Sequence, residues 1–224
     1  MEIVFENKSC LVAVKPVGVL SQKGRAGEPD MVSLLEKQKR GSVGSIYLVH
    51  RLDREVGGLM LFAKSHGAAS FYASAVENRR VQKEYLAIVR GVPSEMSGEW
   101  KDYLYRDEAQ RKTVTVAAGH QGAKEARLRY SVSESIEREG ERLSLLRIQL
   151  LTGRNHQIRV QCASRHLPLL GDTLYGKEKA DAVPALFAWR LTFPEENGGK
   201  TTVSCRPAGG AWELFSAAIK ALKD

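Results

Sequence analysis

The chain has 224 residues, of which 43% are hydrophobic and 27% are charged, a composition typical of a globular protein rather than a disordered one. Lysine and arginine total 34 against 26 acidic residues, so the formal net charge is +8. No apolar run approaches the roughly 18 residues that a membrane-spanning helix needs. Three distant cysteines and five histidines without ligand spacing indicate neither a disulfide framework nor a metal site. We therefore expect a cytoplasmic protein without metal or nucleotide cofactor. A cationic chain meets polyanions more often, and nucleic acid is the first candidate partner.

The first third of the chain predicts a hairpin followed by two helices. Residues 1–15 carry two apolar runs joined by a turn-forming polar segment, which is typical of paired strands. A polar, glycine-rich stretch over 21–30 is a candidate mobile loop. Pro29 then opens a short helix. Ser65 is suited to cap a second helix that extends to about Asn78.

The remainder alternates strand patterns with two further helices. A strand is predicted at 83–89, ending at Gly91. Strands are also predicted at 111–116, 126–132 and 143–151 from their apolar alternation, and a helix at 155–164. A hairpin over 187–205 turns at an Asn-Gly-Gly sequence, and an apolar stripe at helical spacing predicts a closing helix from Trp212 to Leu222. Strand runs interrupted by helices, without regular βαβ alternation, predict an α+β fold with a mainly antiparallel sheet. We expect one domain spanning residues 1–224.

The segment from His50 to Lys64 places one carboxylate, Asp53, between the guanidinium groups of Arg51 and Arg54. Apolar runs flank it, so we predict a short polar link between two core strands. Nearby cations favour the ionised form of a carboxylate. An acid kept charged suits nucleophilic attack or cation stabilisation better than proton donation. An aspartate that only closes a turn is the alternative interpretation, because ion pairs also occur for structural reasons.

A second polar group, with the sequence GRNHQIR, lies at Gly153–Arg159, where a strand is followed by the predicted helix. The start of a helix offers backbone N–H groups and the positive end of the helix dipole to a phosphate. His156 and Arg159 are three residues apart and are expected to share a helix face. A fixed arginine there could orient a nucleophile. A basic, solvated helix face explains the same residues.

Tyr85 lies in a predicted strand, two residues after Lys83. A strand tyrosine is usually packing with a solvated hydroxyl. The functional interpretation is a flat surface on which a base can stack.

These segments, in this order, resemble the RluA-type pseudouridine synthases. The family pattern is His-Arg-Leu-Asp-x-x-Thr-Ser-Gly-Leu, Lys-x-Tyr, Gly-Arg-x-His-Gln-Ile-Arg and Gly-Asp-x-x-Tyr-Gly. The matching segments are His50–Leu59, Lys83–Tyr85, Gly153–Arg159 and Gly171–Gly176, and Lys15–Leu20 resembles the Lys-Pro-x-Gly opening of the family. The resemblance covers about residues 11 to 205.

The resemblance implies a mixed, mainly antiparallel sheet with flanking helices and a central active-site cleft, working without cofactor or metal. It implies isomerisation of uridine in RNA, in which the N1–C1′ bond breaks, the uracil turns, and C5 joins C1′. Asp53 would be the essential carboxylate, Tyr85 would pack against the uracil, and Arg159 would pair with Asp53. Arg51 would fill the gap that the flipped nucleotide leaves in the RNA stack. The further candidates for RNA binding are Arg54, Arg154 and His156.

The reaction agrees with the residues on chemical grounds. Breaking a glycosidic bond builds positive charge at C1′, which an adjacent carboxylate can stabilise or trap covalently. Flipping out a nucleotide costs a few kcal/mol, which cationic surface and stacking must offset. The target is therefore expected in structured tRNA or rRNA, where loop bases unstack readily.

The chain departs from the family pattern in two places. Val56 and Gly57 stand where the family usually has Thr and Ser, and Gln161 replaces a common His. The first departure favours an alternative function, a non-catalytic RNA-binding or RNA-chaperone module on the same fold. A phosphoryl-transfer enzyme, suggested by the likeness of HRLD to a kinase loop, lacks the glycine-rich loop and Asp-Phe-Gly of kinases.

The sequence leaves little room outside the catalytic motifs. The chain starts almost directly on them, so we expect no S4-like RNA-binding domain. Loops at 21–30 and 103–113 would then select the RNA. We expect a monomer without an obligate protein partner.

Overall fold

The computed structural model describes residues 1–24, 27–39, 45–176, 178 and 182–223. The chain divides into two compact units: the first holds residues 1–83 and 187–207, and the second holds residues 84–186 and 208–223. Part of the predicted mobile loop, residues 25–26, lies outside the described residues. Within the described ranges, none of the helices combines the length and the apolar character required to cross a lipid bilayer.

The strands, in chain order, are β1 Ile3–Glu6, β2 Cys10–Lys15, β3 Tyr47–Leu48, β4 Gly57–Ala63, β5 Gln82–Arg90, β6 Ser97–Asp107, β7 Lys112–Val116, β8 Lys124–Arg138, β9 Glu141–Leu150, β10 Leu186–Pro194 and β11 Lys200–Ser204. The α-helices are α1 Met31–Gln38, α2 His66–Glu77, α3 Gln157–Ala163 and α4 Ser216–Lys220, and a 3₁₀ helix spans Gly210–Phe215.

Strand β4 is the centre of the first unit, and all seven of its residues are buried. It pairs antiparallel with β2 and β3 and parallel with β10, which continues into the β10–β11 hairpin. Helix α2 packs its apolar side, including Tyr72, on a core that contains Leu59, Leu61 and Phe193. Its start is capped as the sequence predicts, because the Ser65 hydroxyl accepts a hydrogen bond from the Ala68 N–H.

The second unit is a meander of long antiparallel strands. Strand β8 lies between β6 and β9, and β6 also pairs with β7. Strand β9 is in turn a neighbour of β5. The short helix α3 is almost wholly buried and packs Val160 against Leu104 of β6 and Ala126 of β8.

The predicted fold class is confirmed: the structure is α+β, with antiparallel pairs in both units, among them β2–β4 and β6–β8, and a parallel pair of β4 and β10. The first hairpin, α2, β5, β9 and the final hairpin lie within two residues of their predicted bounds. The close agreement follows from an apolar run, an alternating pattern or a clear cap in each of these segments.

Two predicted helices need correction. The helix expected at 155–164 starts only at Gln157, because His156 adopts a left-handed conformation with φ of 52°. The closing helix is two pieces, a 3₁₀ helix and α4, separated at Phe215, whose φ of −125° lies outside the helical range.

The expectation of a loop at 103–113 is also wrong. These residues form the β6–β7 hairpin, with Tyr103 paired to Val116 and Asp107 to Lys112. Strand β6 escaped prediction because only Trp100 and Leu104 along it are buried. A spacing of four does not produce the alternation that identifies a strand.

Candidate active site

Asp53 lies on the link between β3 and β4, as the sequence predicts. The link closes with a turn in which the Asp53 carbonyl accepts a hydrogen bond from the Val56 N–H at 3.1 Å. Asp53 itself is half-buried, between the buried Leu52 and the exposed Arg54. The loop therefore presents the carboxylate from a backbone that is anchored at both ends.

Lys15 binds the backbone of this loop on the C-terminal side of Asp53. It is fully buried at the end of β2, and its ammonium donates to the carbonyl oxygens of Pro16 (2.9 Å), Val19 (2.7 Å) and Arg54 (3.0 Å). Burial lowers the pKa of Lys15 to about 8, while the charges of Glu55 and Asp53 oppose that shift. The three carbonyl dipoles further favour the ammonium form. A cation thus crosslinks the start of the Lys-Pro-x-Gly segment to the residue that follows Asp53.

Ser21 binds the backbone on the N-terminal side of Asp53. Its hydroxyl donates to the Leu52 carbonyl at 2.7 Å and accepts from the Leu52 N–H at 3.0 Å. The Gly18 N–H adds a bond of 2.8 Å to the Arg54 carbonyl. Residues 15–21 therefore bind the backbone immediately before and immediately after Asp53. The sequence signal was the Lys-Pro-x-Gly resemblance, which carried no assigned role for Lys15 or Ser21.

The two arginines next to Asp53 in sequence differ in their contacts. The Arg54 guanidinium forms an ion pair with Glu28 at 3.0 Å and donates to the Gly18 carbonyl. Glu28 and the Gly18 carbonyl thus engage the Arg54 guanidinium, and its proximity to the Asp53 carboxylate stays a prediction. Arg51 is exposed, and within the described ranges no hydrogen bond or ion pair holds its side chain.

His50 is a structural residue of this loop. It is buried, and its Nε2 accepts a hydrogen bond from the Leu61 N–H on β4 at 3.2 Å. The proton of the neutral ring is therefore on Nδ1, a buried atom without a hydrogen bond of normal geometry to any described residue. Burial lowers the pKa of His50 to about 3, the Lys83 charge acts in the same direction, and the Arg51 backbone opposes it. The imidazole is neutral at physiological pH.

The departures at Val56 and Gly57 are explained by packing. Val56 is buried and closes the Asp53 turn through its backbone, so a hydroxyl is not needed there. A Cβ at Gly57 would lie 3.3 Å from the Phe187 ring, which fills the space of a side chain. The adjacent Gly58 has φ of 121°, and a Cβ there would lie 2.3 Å from the Ala188 carbonyl oxygen. The feature that favoured a non-catalytic module thus has a packing cause.

Arg159, in the second unit, forms a buried bidentate ion pair with Asp172. Its Nε and Nη2 donate to the two carboxylate oxygens at 2.8 Å each, and the exposed side-chain fractions are 4% and 0%. Asp172 Oδ1 also accepts the N–H groups of Leu174 and Tyr175 at 3.0 Å. Burial acts to raise the pKa of Asp172, but the Arg159 bond and charge hold it below its usual value. Arg159 is therefore fixed in orientation by the Gly-Asp-x-x-Tyr-Gly segment.

Tyr175 connects His156 to Arg159. The Arg159 guanidinium lies 5.4 Å from the centre of the Tyr175 ring, and His156 Nδ1 lies 2.9 Å from its hydroxyl. That hydroxyl accepts a hydrogen bond from the Thr113 N–H at 3.0 Å. Lys112 approaches the same ring at 4.8 Å. His156 precedes α3 in a left-handed conformation, so the expected helix face shared with Arg159 does not form. Tyr175, to which the sequence reasoning gave no role, contacts both residues instead.

Gln161 takes part in a buried network at the end of this segment. Its amide accepts from Gln157 Nε2 at 3.0 Å and donates to the Asp102 carboxylate at 2.6 Å. Gln157 Oε1 in turn accepts the Arg154 N–H at 3.0 Å and the Thr152 hydroxyl at 2.9 Å. The helix is therefore not a solvated basic face. Gln161 fills its position with hydrogen bonds to both ends of its amide.

Arg154 and Tyr85 complete the predicted residues. Arg154 is exposed, and its Nε donates to the Glu125 carbonyl at 2.9 Å. Tyr85 is 5% exposed, on β5. Asp53 belongs to the first unit, whereas Tyr85 and Arg159 belong to the second, so the pairing of Asp53 with Arg159 stays a prediction. Over the described ranges, no three His, Cys, Asp or Glu side chains form a possible metal site.

Comparison with known proteins identifies the family of this chain. The chain belongs to the RNA pseudouridylate synthase family, whose model matches residues 9–164. The dual-specificity RNA pseudouridine synthase RluA of Vibrio parahaemolyticus is 33% identical over 80% of this chain and 70% of its own. The ribosomal large subunit pseudouridine synthase D of Haemophilus ducreyi is 33% identical over 79% of this chain and 53% of its own.

A third relative is an uncharacterised RNA pseudouridine synthase, YhcT, of Bacillus subtilis, with 32% identity over 79% of this chain and 58% of its own. The chain therefore spans little more than half the length of several curated relatives that it matches. Two solved structures share the fold. Human RNA pseudouridylate synthase domain containing 1 covers 100% of this chain and 96% of its own with a TM-score of 0.74 at 24% identity. The domain containing 4 protein covers 98% and 92% with a TM-score of 0.75 at 22% identity.

Proposed function

We propose that this chain isomerises uridine to pseudouridine in RNA, with Asp53 as the essential carboxylate. The observation that carries the proposal is the support of the Asp53 loop, whose backbone is bound by Lys15 on one side and Ser21 on the other. A carboxylate on a fixed backbone can stabilise positive charge as it develops, without reorganisation at the moment of reaction. Family membership and the names of the relatives support this reaction.

In the proposed reaction the N1–C1′ bond breaks and its electron pair leaves with the uracil. The Asp53 carboxylate stabilises the positive charge at C1′ or adds to it as an ester. The uracil turns, C5 bonds to C1′, and the proton lost from C5 is balanced by one gained at N1. Tyr85 is proposed to pack against the uracil. Arg159, fixed by Asp172, is proposed to hold the Asp53 rotamer.

The proposed substrate is a loop of structured tRNA or rRNA. Extruding a nucleotide costs a few kcal/mol and is least costly where bases are unpaired. Arg51, exposed beside Asp53, is proposed to occupy the vacated place in the RNA stack. A net charge of +8 supports binding to the phosphate backbone.

Several further properties belong to the same proposal. Residues 1–224 are proposed to act as one catalytic domain and as a monomer without a protein partner, which light scattering tests. A cytoplasmic location is supported by three free cysteine thiols, of which Cys10 and Cys162 are buried. Cofactor independence predicts that exhaustive dialysis against a chelator leaves turnover unchanged.

The deciding experiment removes the carboxylate. Asp53→Asn and Asp53→Ala are expected to abolish pseudouridine formation in RNA from cells that lack this gene, while affinity for that RNA falls less than threefold. Glu55→Gln is the matched control, because it removes the same charge from the same loop, and it is expected to retain turnover. Turnover by Asp53→Asn would contradict the assigned role. A folded wild-type protein without activity on any of these RNAs would favour the non-catalytic RNA-binding module.

A further inference from the structure

A cavity of about 300 Å³ opens in the second unit between the β6–β7 hairpin, the turn before β8 and the loop that precedes α3. Its volume is at the lower end of the roughly 300–1,000 Å³ typical of small-molecule pockets, which suits one nucleotide rather than a longer segment. Neither Tyr85 nor Arg159 lines it. The cavity is therefore separate from the residues proposed to act on the reacting uracil.

Three cations line the cavity: Arg106, Lys124 and Arg154. Arg106 is partly neutralised by Glu108, at 3.6 Å. Lys124 and Arg154 are exposed, and neither forms an ion pair with a side chain in the described part of the chain. The nearby Glu125 carboxylate is engaged by Lys101 at 3.0 Å. The lining thus carries uncompensated positive charge, which suits a phosphodiester.

Two of these cations are held in position. Arg154 Nε donates to the Glu125 carbonyl, which fixes the plane of the guanidinium. Arg106 Nη1 donates to Asn155 Oδ1 at 3.0 Å, and the same oxygen accepts the Thr113 hydroxyl at 3.0 Å. Ordering these side chains in advance lowers the entropy lost when an anion binds.

An aromatic residue lies beside the cations. Tyr105 is one of the lining residues, and its ring packs against His120 with ring centres 4.7 Å apart. Gly122 faces the same ring: a Cβ there would lie 3.4 Å from it, and φ of 79° favours glycine. An aromatic ring next to fixed cations is the combination that binds the base and phosphate of single-stranded nucleic acid.

We propose that this cavity binds one unpaired nucleotide of the RNA, other than the reacting uridine, with its phosphate on Lys124 and Arg154 and its base on Tyr105. The inference rests on the proposed function, since it assigns the site to the same RNA. An acidic peptide would also satisfy the cations. Such a peptide would offer no base to stack on Tyr105, so RNA is favoured.

Anisotropy of a fluorescein-labelled oligouridine dodecamer, measured across a range of salt concentrations, tests the proposal. Lys124→Ala is expected to weaken binding five- to tenfold and to lower the slope of log K against log salt by about 0.7, the value for one phosphate contact on a single strand. Arg138→Ala is the matched control, since it removes one positive charge at the opposite end of β8. Tyr105→Leu is expected to weaken binding at least fivefold with an unchanged slope.

Equal effects of Lys124→Ala and Arg138→Ala would overturn the proposal, and so would failure of the wild-type protein to bind the oligouridine. An oligoglutamate peptide that displaces oligouridine at equal concentration would assign the cavity to an acidic peptide instead. Failure of this inference is distinguishable from failure of the proposed function. Wild-type pseudouridine formation without a Lys124 effect rejects only the cavity. A Lys124 effect without pseudouridine formation rejects only the reaction.

Discussion

Replacing Asp172 with asparagine tests the buried ion pair that fixes Arg159. The asparagine side chain has the same length but no charge. It can keep three of the four hydrogen bonds of Asp172, those that Oδ1 accepts from Arg159 Nη2 and from two backbone N–H groups. The fourth becomes a contact between two donors, because the new amide nitrogen faces Arg159 Nε. Breaking a buried ion pair by removing one partner costs about 3–5 kcal/mol. Since most bonds survive, we expect Asp172→Asn to lower the free energy of unfolding by about 3 kcal/mol, the low end of that range.

The assay is urea unfolding followed by circular dichroism, with a double-mutant cycle. Arg159→Met added to Asp172→Asn is expected to cost less than about 1 kcal/mol more, because the buried cation that needed the carboxylate is gone. Asp107→Asn is the matched control. That residue is half-buried in the same unit, and its Oδ1 accepts only the Gln110 N–H among the described contacts. It is expected to cost about 1 kcal/mol or less.

The pH dependence provides a second readout. The pKa of Asp172 is lower in the folded state than its usual value, so its stabilising contribution is present above about pH 4 and is lost as the pH falls through the folded pKa. The difference in unfolding free energy between wild type and Asp172→Asn should therefore shrink in acid. A loss below about 1 kcal/mol at neutral pH, or a difference that persists unchanged in acid, would refute the reasoning.

Three further predictions concern the Asp53 loop. Buried His50 stays neutral in the folded state but binds a proton in the unfolded state below about pH 6.5, so the free energy of unfolding should fall by up to about 5 kcal/mol towards pH 3. His50→Gln can still accept the hydrogen bond from the Leu61 N–H. This variant should flatten the acid part of the pH dependence in a series of melting curves. Lys15→Met removes three charge-assisted bonds and should cost roughly 2–4 kcal/mol in urea unfolding, and no measurable loss would show that the ammonium is not an anchor. Gly58→Ala places a Cβ 2.3 Å from the Ala188 carbonyl oxygen at a φ of 121°. The free energy of unfolding should fall by more than about 1–2 kcal/mol, which lowers the melting temperature by more than about 5 °C. An unchanged melting curve would contradict the close approach.

Much of the first unit was predictable because its signals are local. Two apolar runs around a polar turn define the first hairpin, an apolar run defines β4, and Ser65 caps α2 where a capping residue precedes an apolar helical pattern. The position of Asp53 on a link between two strands followed from the apolar runs around it, although β3 is only partly buried. The ion-pair partner of Arg54 did not, because Glu28 is 26 residues away in sequence and only the fold brings the two together.

The second unit shows what local patterns miss. Strand β6 lacks alternation because only Trp100 and Leu104 are buried along it. His156, whose left-handed conformation delays the start of α3, contacts Tyr175, which is 19 residues away in sequence. The pairing of Arg159 with Asp172 joined two motifs that sequence reasoning had recognised separately. Charge and spacing in the sequence therefore identify the residues that take part in these contacts, whereas their pairing depends on the tertiary structure.

The bonds from Lys15 and Ser21 to the Asp53 loop have a consequence for protein engineering. The loop geometry is specified by a segment roughly thirty or more positions upstream as well as by its own residues. Grafting residues 49–57 alone into another scaffold should therefore give a conformationally flexible loop. A graft that also carries residues 15–21 as a second segment should reproduce the conformation of the Asp53 loop. The smallest transferable module is discontinuous.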